Sequence, residues 1–292
     1  MKKFAFLFGL CLSIVSCGPG LIYTNLDRLV PRYADDYISL NREQRSLLDL
    51  RLADRLEWHC HTQLDRYAAF FNRLRSDFRD SNQTVTHARM RAYYDAVQEA
   101  WDDLLRRLGS DAAKILATAN EAQIAELYEN LAEKNREIEE KYIDVSSEER
   151  VKERRQRMEK RLRRWISRLT PAQEQLVAAW SEAFEPMAED RLVFRKRVQN
   201  AFLQVLHRRH QEDFEPAFTH LLTHFRELRS PAYQTKMEAN TRRTIDLLVA
   251  LERSLTRSQR DHLLERLASY SKTFAELSCG PEPAAIGSTG GT

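Results

Sequence analysis

Between residues 53 and 78 the apolar side chains recur as Ala53, Leu56, Cys60, Leu64, Tyr67, Phe71, Leu74 and Phe78, three or four positions apart at every step. That spacing returns to one face of a 3.6-residue helix and excludes a strand, whose faces alternate every second residue. A helix with a single apolar stripe cannot bury it alone and needs partners with stripes of their own. Starting at Asn41, this helix is expected to be roughly 55 Å long and to end at the turn-forming run Ser81, Asn82, Gln83 and Thr84.

The same periodicity fills the rest of the chain. Met90, Tyr93, Val97, Trp101, Leu104 and Leu108 mark a second helix, which Gly109 and Ser110 are expected to close before a short piece from Ala112 to Ala119. Further stripes run through Ile124 to Tyr142, Val151 to Leu169, Val177 to Val205, Phe218 to Phe225, Met237 to Leu251 and Leu263 to Leu277. Pro186 should kink or split the longest of these, and Ser230 followed by Pro231 forms an N-cap with proline at the first helical position. With only 8 Gly and 8 Pro in 292 residues and 30% charged side chains, the predicted class is all-α. The stripes imply an antiparallel bundle of about seven to nine long amphipathic helices.

Charge is distributed unevenly along two neighbouring stripes. Residues 121–144 carry eight acidic and three basic side chains, and residues 148–168 carry ten basic and four acidic. Folded back on each other at Asp144 to Ser147, two such helices would attract along their length, and Ser146 with Glu149 fits the cap of the second. The alternative is that Arg154, Arg155, Arg157, Arg161, Arg163 and Arg164 offer a patch to lipid phosphates or another polyanion; the internal or solvated reading is preferred.

The amino terminus sets the compartment. Lys2 and Lys3 precede an apolar run from Phe4 to Val15, too short to span a bilayer, which takes ~20 residues, and suited to a signal peptide. Ile14-Val15-Ser16-Cys17 resembles the lipobox of bacterial lipoproteins, with Ile14 in place of the commoner leucine. The resemblance implies cleavage after Ser16, acylation of Cys17 with chains such as palmitate, and, with Gly18 and not Asp next, residence at the periplasmic face of the outer membrane. Several acyl chains on one residue anchor stably where one does not. The predicted organisation is a signal peptide at 1–16, a lipidated tether with a short amphipathic segment at 17–40, a helical domain at 41–279 with halves at 41–168 and 169–279, and a disordered tail at 280–292.

Loss of Lys2 and Lys3 brings the net charge from +3 to about +1, which gives no reason to expect nucleic acid. Of four cysteines, Cys11 leaves with the signal and Cys17 carries lipid. Cys60 and Cys279 remain in an oxidising compartment, where they either pair or leave Cys60 as a small buried thiol on its stripe.

Four helix starts share one device: Asn41 with Gln44, Asn120 with Gln123, Thr170 with Gln173 and Thr256 with Gln259. An Asn or Thr cap accepts from the amide three residues on, and the Gln at that position reaches back to the cap amide. From Asn41 to Thr170 is 129 residues and from Asn120 to Thr256 is 136, the order expected of two related units, although the stripes match poorly beyond the first turns.

Two resemblances follow from these residues. The Leu-Thr-x-x-Gln starts are similar to those of Spy-type periplasmic chaperones and stress sensors. Over nearly the whole mature chain, Asn25-Leu26-Asp27, Tyr33-x-Asp35-Asp36-Tyr37, Gln44 with Leu47-Leu48, Trp58-His59, Arg66-Tyr67, Ser147-Glu148-Glu149-Arg150 and Leu169-Thr170-Pro171-Ala172-Gln173 resemble an uncharacterised all-helical lipoprotein family of proteobacteria. This second resemblance implies a lipoprotein and a helical fold and brings no activity.

Catalytic and cofactor chemistry find no support in the residue pattern. It contains no glycine-rich phosphate loop and no nucleophile elbow. His220 with His224 and His207 with His210 have chelating spacing but no third ligand at a matching offset, so no metal and no cofactor is assigned. Asp35 and Asp36 point apart on a helix and suit capping or an arginine partner. No small-molecule substrate is identified. The expectation is a non-enzymatic structural or interaction lipoprotein, with the membrane as one partner through Cys17 and an envelope protein as another; the alternative is a chaperone-like or stress-sensing client binder.

Overall fold

The computed structural model describes residues 19–79 and 85–280. Cys17, the signal region, the run Ser81 to Thr84 and the tail beyond Gly280 lie outside them. The described chain is all-α, with twelve helices. Two short ones, α1 (Pro19–Tyr23) and α2 (Leu26–Asp35), precede α3 (Arg42–Thr62), α4 (Leu64–Arg79), α5 (His87–Leu116), α6 (Glu121–Tyr142), α7 (Ser147–Ile166), α8 (Pro171–Ala183), α9 (Ala188–His207), α10 (Phe214–His224), α11 (Pro231–Arg253) and α12 (Arg257–Leu277). A 3-10 turn, Phe225–Leu228, joins α10 to α11.

The stripe that begins in α3 continues into α4 across a break at Gln63, so the expected single long rod is two helices. Its partner is α12, which runs antiparallel along it. Arg260 donates to the Phe78 carbonyl (2.8 Å), Ser271 to the Ala68 carbonyl (3.0 Å), and Phe71 stacks on Tyr270 and Phe274 at 5.2 and 5.6 Å. At the far end Cys60 and Cys279 are joined by a disulfide, their Cα atoms 5.2 Å apart.

Helix α5 does not stop at Gly109. It continues to Leu116 because this glycine is a point of close approach: a Cβ there would come within 3.3 Å of Thr219 and 3.5 Å of Leu222, both on α10. A helix interior pays about 1 kcal/mol for glycine, and here the missing side chain lets α10 pack tightly. Pro186 does split the longest stripe, into α8 and α9.

The charge-segregated hairpin is not formed. Helix α6 packs on α9 and helix α7 on α8 and α12. Glu139 pairs with Lys196 and Glu121 with Arg209, both partners on or just beyond α9. Burial decides this: Leu127 and Leu131 of α6 enter one core with Leu206, while Leu162 and Ile166 of α7 enter another with Leu263 and Leu267. Burying one such side chain contributes about 1.5–3 kcal/mol, against tenths for an exposed ion pair.

Those two cores organise the molecule. The first joins Tyr37, Ile38, Ala113, Ile124, Leu127, Leu131, Leu206, Phe214 and Phe218; the second joins Phe78, Val85, Leu162, Ile166, Val177, Leu247, Leu251, Leu263 and Leu267. Each draws on segments spread through the chain, and α5 bridges them, with Met90 against the second and Ala113 in the first.

Candidate functional site

All four capping boxes form, each with both reciprocal hydrogen bonds. After capping, every Gln side chain still holds two N–H donors and one acceptor position, and all four are buried. An unmet buried amide group costs about 1–3 kcal/mol, so each needs a further partner. The boxes supply it to one another in pairs. Gln44 Nε2 donates to Gln123 Oε1 (3.1 Å) and Gln123 Nε2 donates back to Gln44 Oε1 (2.7 Å). Gln173 and Gln259 do the same at 2.9 and 2.8 Å.

The remaining donors complete each pair identically. Gln44 Nε2 donates to the Thr118 carbonyl and Gln123 Nε2 to the Ser39 carbonyl, each two residues before the partner's cap. Gln173 Nε2 donates to the Ser254 carbonyl and Gln259 Nε2 to the Arg168 carbonyl, at the same offset. Two donors and two acceptor positions on each amide are therefore all used. We call the two arrangements the first and second joints. Each clamps one inter-helix turn against another, across 79 residues in the first and 86 in the second.

Sequence reasoning found the caps and missed the pairing. The sequence does hold part of the signal: four Gln residues, in two sets of like spacing, each with donors that capping leaves unspent.

At the opposite end of α3, helix α1 is docked onto the body. Tyr23 Oη donates to the Leu56 carbonyl (3.3 Å), its ring lies 5.5 Å from that of His59, and Gly20 sits against Thr273 of α12. Burial pushes the His59 imidazole down to about 4, so it is neutral at neutral pH, between the hydroxyls of Tyr23 (3.3 Å) and Tyr67 (3.4 Å). The disulfide lies one residue away. Cys60 is buried, and His61 Nδ1 faces the Gly280 carbonyl at 2.8 Å.

Several other singled-out residues take structural partners. Asp35 pairs with Arg45. Arg154 donates to the Ser181 carbonyl (2.6 Å) and lies over the Phe184 ring, while Arg155 and Arg157 pair with Glu159 and Glu153 on their own helix and Arg163 reaches Glu159 and Glu174. Three of the six arginines of the patch, Arg155, Arg157 and Arg163, are thus paired with carboxylates. His220 and His224 stack face to face, ring centres 4.1 Å apart. Among the described residues, the one group of three metal-ligating side chains that converge is Cys60, His61 and Cys279, and both its sulfurs are spent on the disulfide. No described helix is long and apolar enough to cross a membrane.

Residues 36–234 match the model of a family of unknown function, DUF6279, and the chain belongs to that family. No curated protein and no solved structure matches it. The matched region contains the whole first joint and Gln173; Gln259 and the cysteine at 279 lie beyond it.

Proposed function

We propose that this family member is a lipid-anchored protein of the bacterial envelope, held at the periplasmic face of the outer membrane by acyl chains on Cys17. It acts there as a structural or protein-interaction component and not as an enzyme. The observation that supports this most is the fixed start of the folded body: α1 begins at Pro19, two residues after the lipobox cysteine, and is tied to Leu56, His59 and Thr273. Acyl chains on Cys17 would hold the body itself at the lipid surface, with no long tether between. The Cys60–Cys279 disulfide fits an oxidising compartment.

The exposed large apolar side chains favour a scaffold over a client-binding chaperone. Among the described residues six large apolar side chains are exposed, Leu21, Leu29, Leu50, Val97, Tyr128 and Val193, few with which to build the contiguous apolar patch that client binding calls for.

Replacing Cys17 with Ala should abolish incorporation of labelled palmitate and move the protein from the membrane to the soluble fraction. Retention of label or of membrane association by Cys17→Ala would contradict the anchor. Crosslinking in intact cells should then capture a defined envelope protein with the wild type; recovery of background neighbours alone would count against the interaction role.

A further inference from the structure

Cys60 and His61 sit in the last turn of α3, which ends at Thr62. There a helix leaves its carbonyls without intrahelical partners. The chain leaving α12 takes up the spare carbonyl of Cys60: the Cys279 amide donates to it at 3.2 Å and Ser278 Oγ at 3.4 Å. Gly280 follows at φ 74°, a region that glycine enters freely, and its carbonyl accepts from His61 Nδ1 at 2.8 Å. Behind these bonds α12 is held along α4 by Arg260 and Ser271. None of these contacts involves a sulfur, so the backbone keeps Cys279 against Cys60 independently of the disulfide that joins them.

Both sulfurs and a ring nitrogen of His61 lie within 4.8 Å of one another. A tetrahedral Zn2+ site, with Zn–S of about 2.3 Å and Zn–N of about 2.0 Å, spaces such atoms about 3.5–3.8 Å apart. Side-chain rotation at Cys279 reaches that spacing once the S–S bond is open. Two thiolates and an imidazole are a donor set for Zn2+, whereas Ca2+ and Mg2+ take oxygen ligands. The group is also reachable. Cys279 is exposed and His61 half-buried, and the buried Cys60 sulfur is bonded to that of Cys279, so a reagent that reaches one reaches the pair.

We propose that Cys60, His61 and Cys279 form a redox-gated zinc site, closed as the disulfide and opened by a protein dithiol of the Cys-x-x-Cys class. One thiolate of that reductant attacks the exposed Cys279 sulfur, the S–S bond breaks and Cys60 leaves as a thiolate. The reductant's second thiolate then attacks its own sulfur in the mixed disulfide, which releases Cys279 and closes the reductant's disulfide. Two electrons and two protons pass to this chain. Zn2+ displaces the two thiol protons and is held by two thiolates and the His61 imidazole, with a fourth position left for water. The Gly280 carbonyl holds the imidazole in place, as carbonyls do for metal-binding histidines. The proposal does not depend on the anchor at Cys17.

The test uses the full chain carrying Cys11→Ser and Cys17→Ser, so that Cys60 and Cys279 are its only cysteines. One sample is kept oxidised. The other is reduced with a water-soluble phosphine, which takes the oxygen of a water molecule while the two protons go to the sulfurs, and which is then removed without air. Each is titrated with Zn2+, and with Co2+, whose thiolate-to-metal absorption reports bound sulfur. The reduced chain should keep its helical circular dichroism, show the thiolate band, and bind Zn2+ at least about tenfold more tightly than the oxidised chain. His61→Ala should weaken binding to the reduced chain by at least about tenfold, the equivalent of about 1.4 kcal/mol, and Cys279→Ser should diminish the thiolate band. The comparison of the two redox states stands whether or not these variants fold. Unfolding on reduction, equal affinity in the two redox states, absence of the thiolate band, or unchanged affinity in a folded His61→Ala would overturn the proposal.

Discussion

The first joint, at Gln44 and Gln123, and the second, at Gln173 and Gln259, have the same hydrogen bonds and different surroundings. The first is covered. Arg209 is buried beside it, donating through Nε to the Ala119 carbonyl (2.7 Å) and pairing with Glu121, while the Ser39 amide donates to Glu126 (2.9 Å) and Asn130 donates to the Tyr37 carbonyl (3.0 Å). The second opens onto a cleft of about 430 Å³ lined by Ser167, Arg168, Pro171, Glu174 and Ser258. Its entering turn also holds Ser167 at φ 63°, ψ −142°, the only non-glycine residue at positive φ among the described residues. A joint of this kind is therefore complete in itself, since the second persists beside an open cleft and with a strained turn. What surrounds the amide pair is a separate variable.

The largest effects that sharpen this comparison come from the amides. Gln173→Ala and Gln44→Ala each remove a cap bond and strand a buried partner amide, and each should cost about 3 kcal/mol in urea unfolding. Similar losses would support equivalent joints; a loss under about 1 kcal/mol at either would break the equivalence. Hydrogen exchange should localise the damage, with faster exchange at the starts of α3 and α6 in Gln44→Ala and at the starts of α8 and α12 in Gln173→Ala.

Next in size is the cover. Arg209→Met keeps the side-chain stem and removes the bond to Ala119 and the pair with Glu121, and should cost about 2 kcal/mol. Unchanged stability would show that the first joint does not need its arginine. The smallest effect has the opposite sign. Ser167→Gly relieves a conformation that glycine alone adopts freely, and should stabilise by about 1 kcal/mol on thermal or urea unfolding. Destabilisation would mean that the turn before Thr170 is not strained.

Much of this architecture was legible in the residues because it is local. The three-and-four spacing of apolar side chains specifies helices, and a cap with Gln three residues on specifies where four of them begin. What was not legible depends on distant parts of the chain. Which box meets which is decided by the fold, and only the burial of Gln44, Gln123, Gln173 and Gln259 turns their spare donors into a requirement for a partner. Gly109 suggests a stop because glycine ends helices more often than it seats a neighbour, and the neighbour, Thr219, is 110 residues away. The opposed charges of residues 121–144 and 148–168 suggested a hairpin because they are conspicuous in sequence. They are weak next to the apolar stripes of the same two helices, which enter different cores.

The two-joint account is tested most directly by double-mutant cycles on the amides. Within a joint, Gln44→Ala with Gln123→Ala, and Gln173→Ala with Gln259→Ala, should show a coupling energy of about 1–2 kcal/mol, because the second substitution removes a partner already stranded. Between joints, Gln44→Ala with Gln173→Ala should be additive to within about 0.5 kcal/mol. Additivity within a joint, or coupling between the joints as large as that within them, would contradict the account.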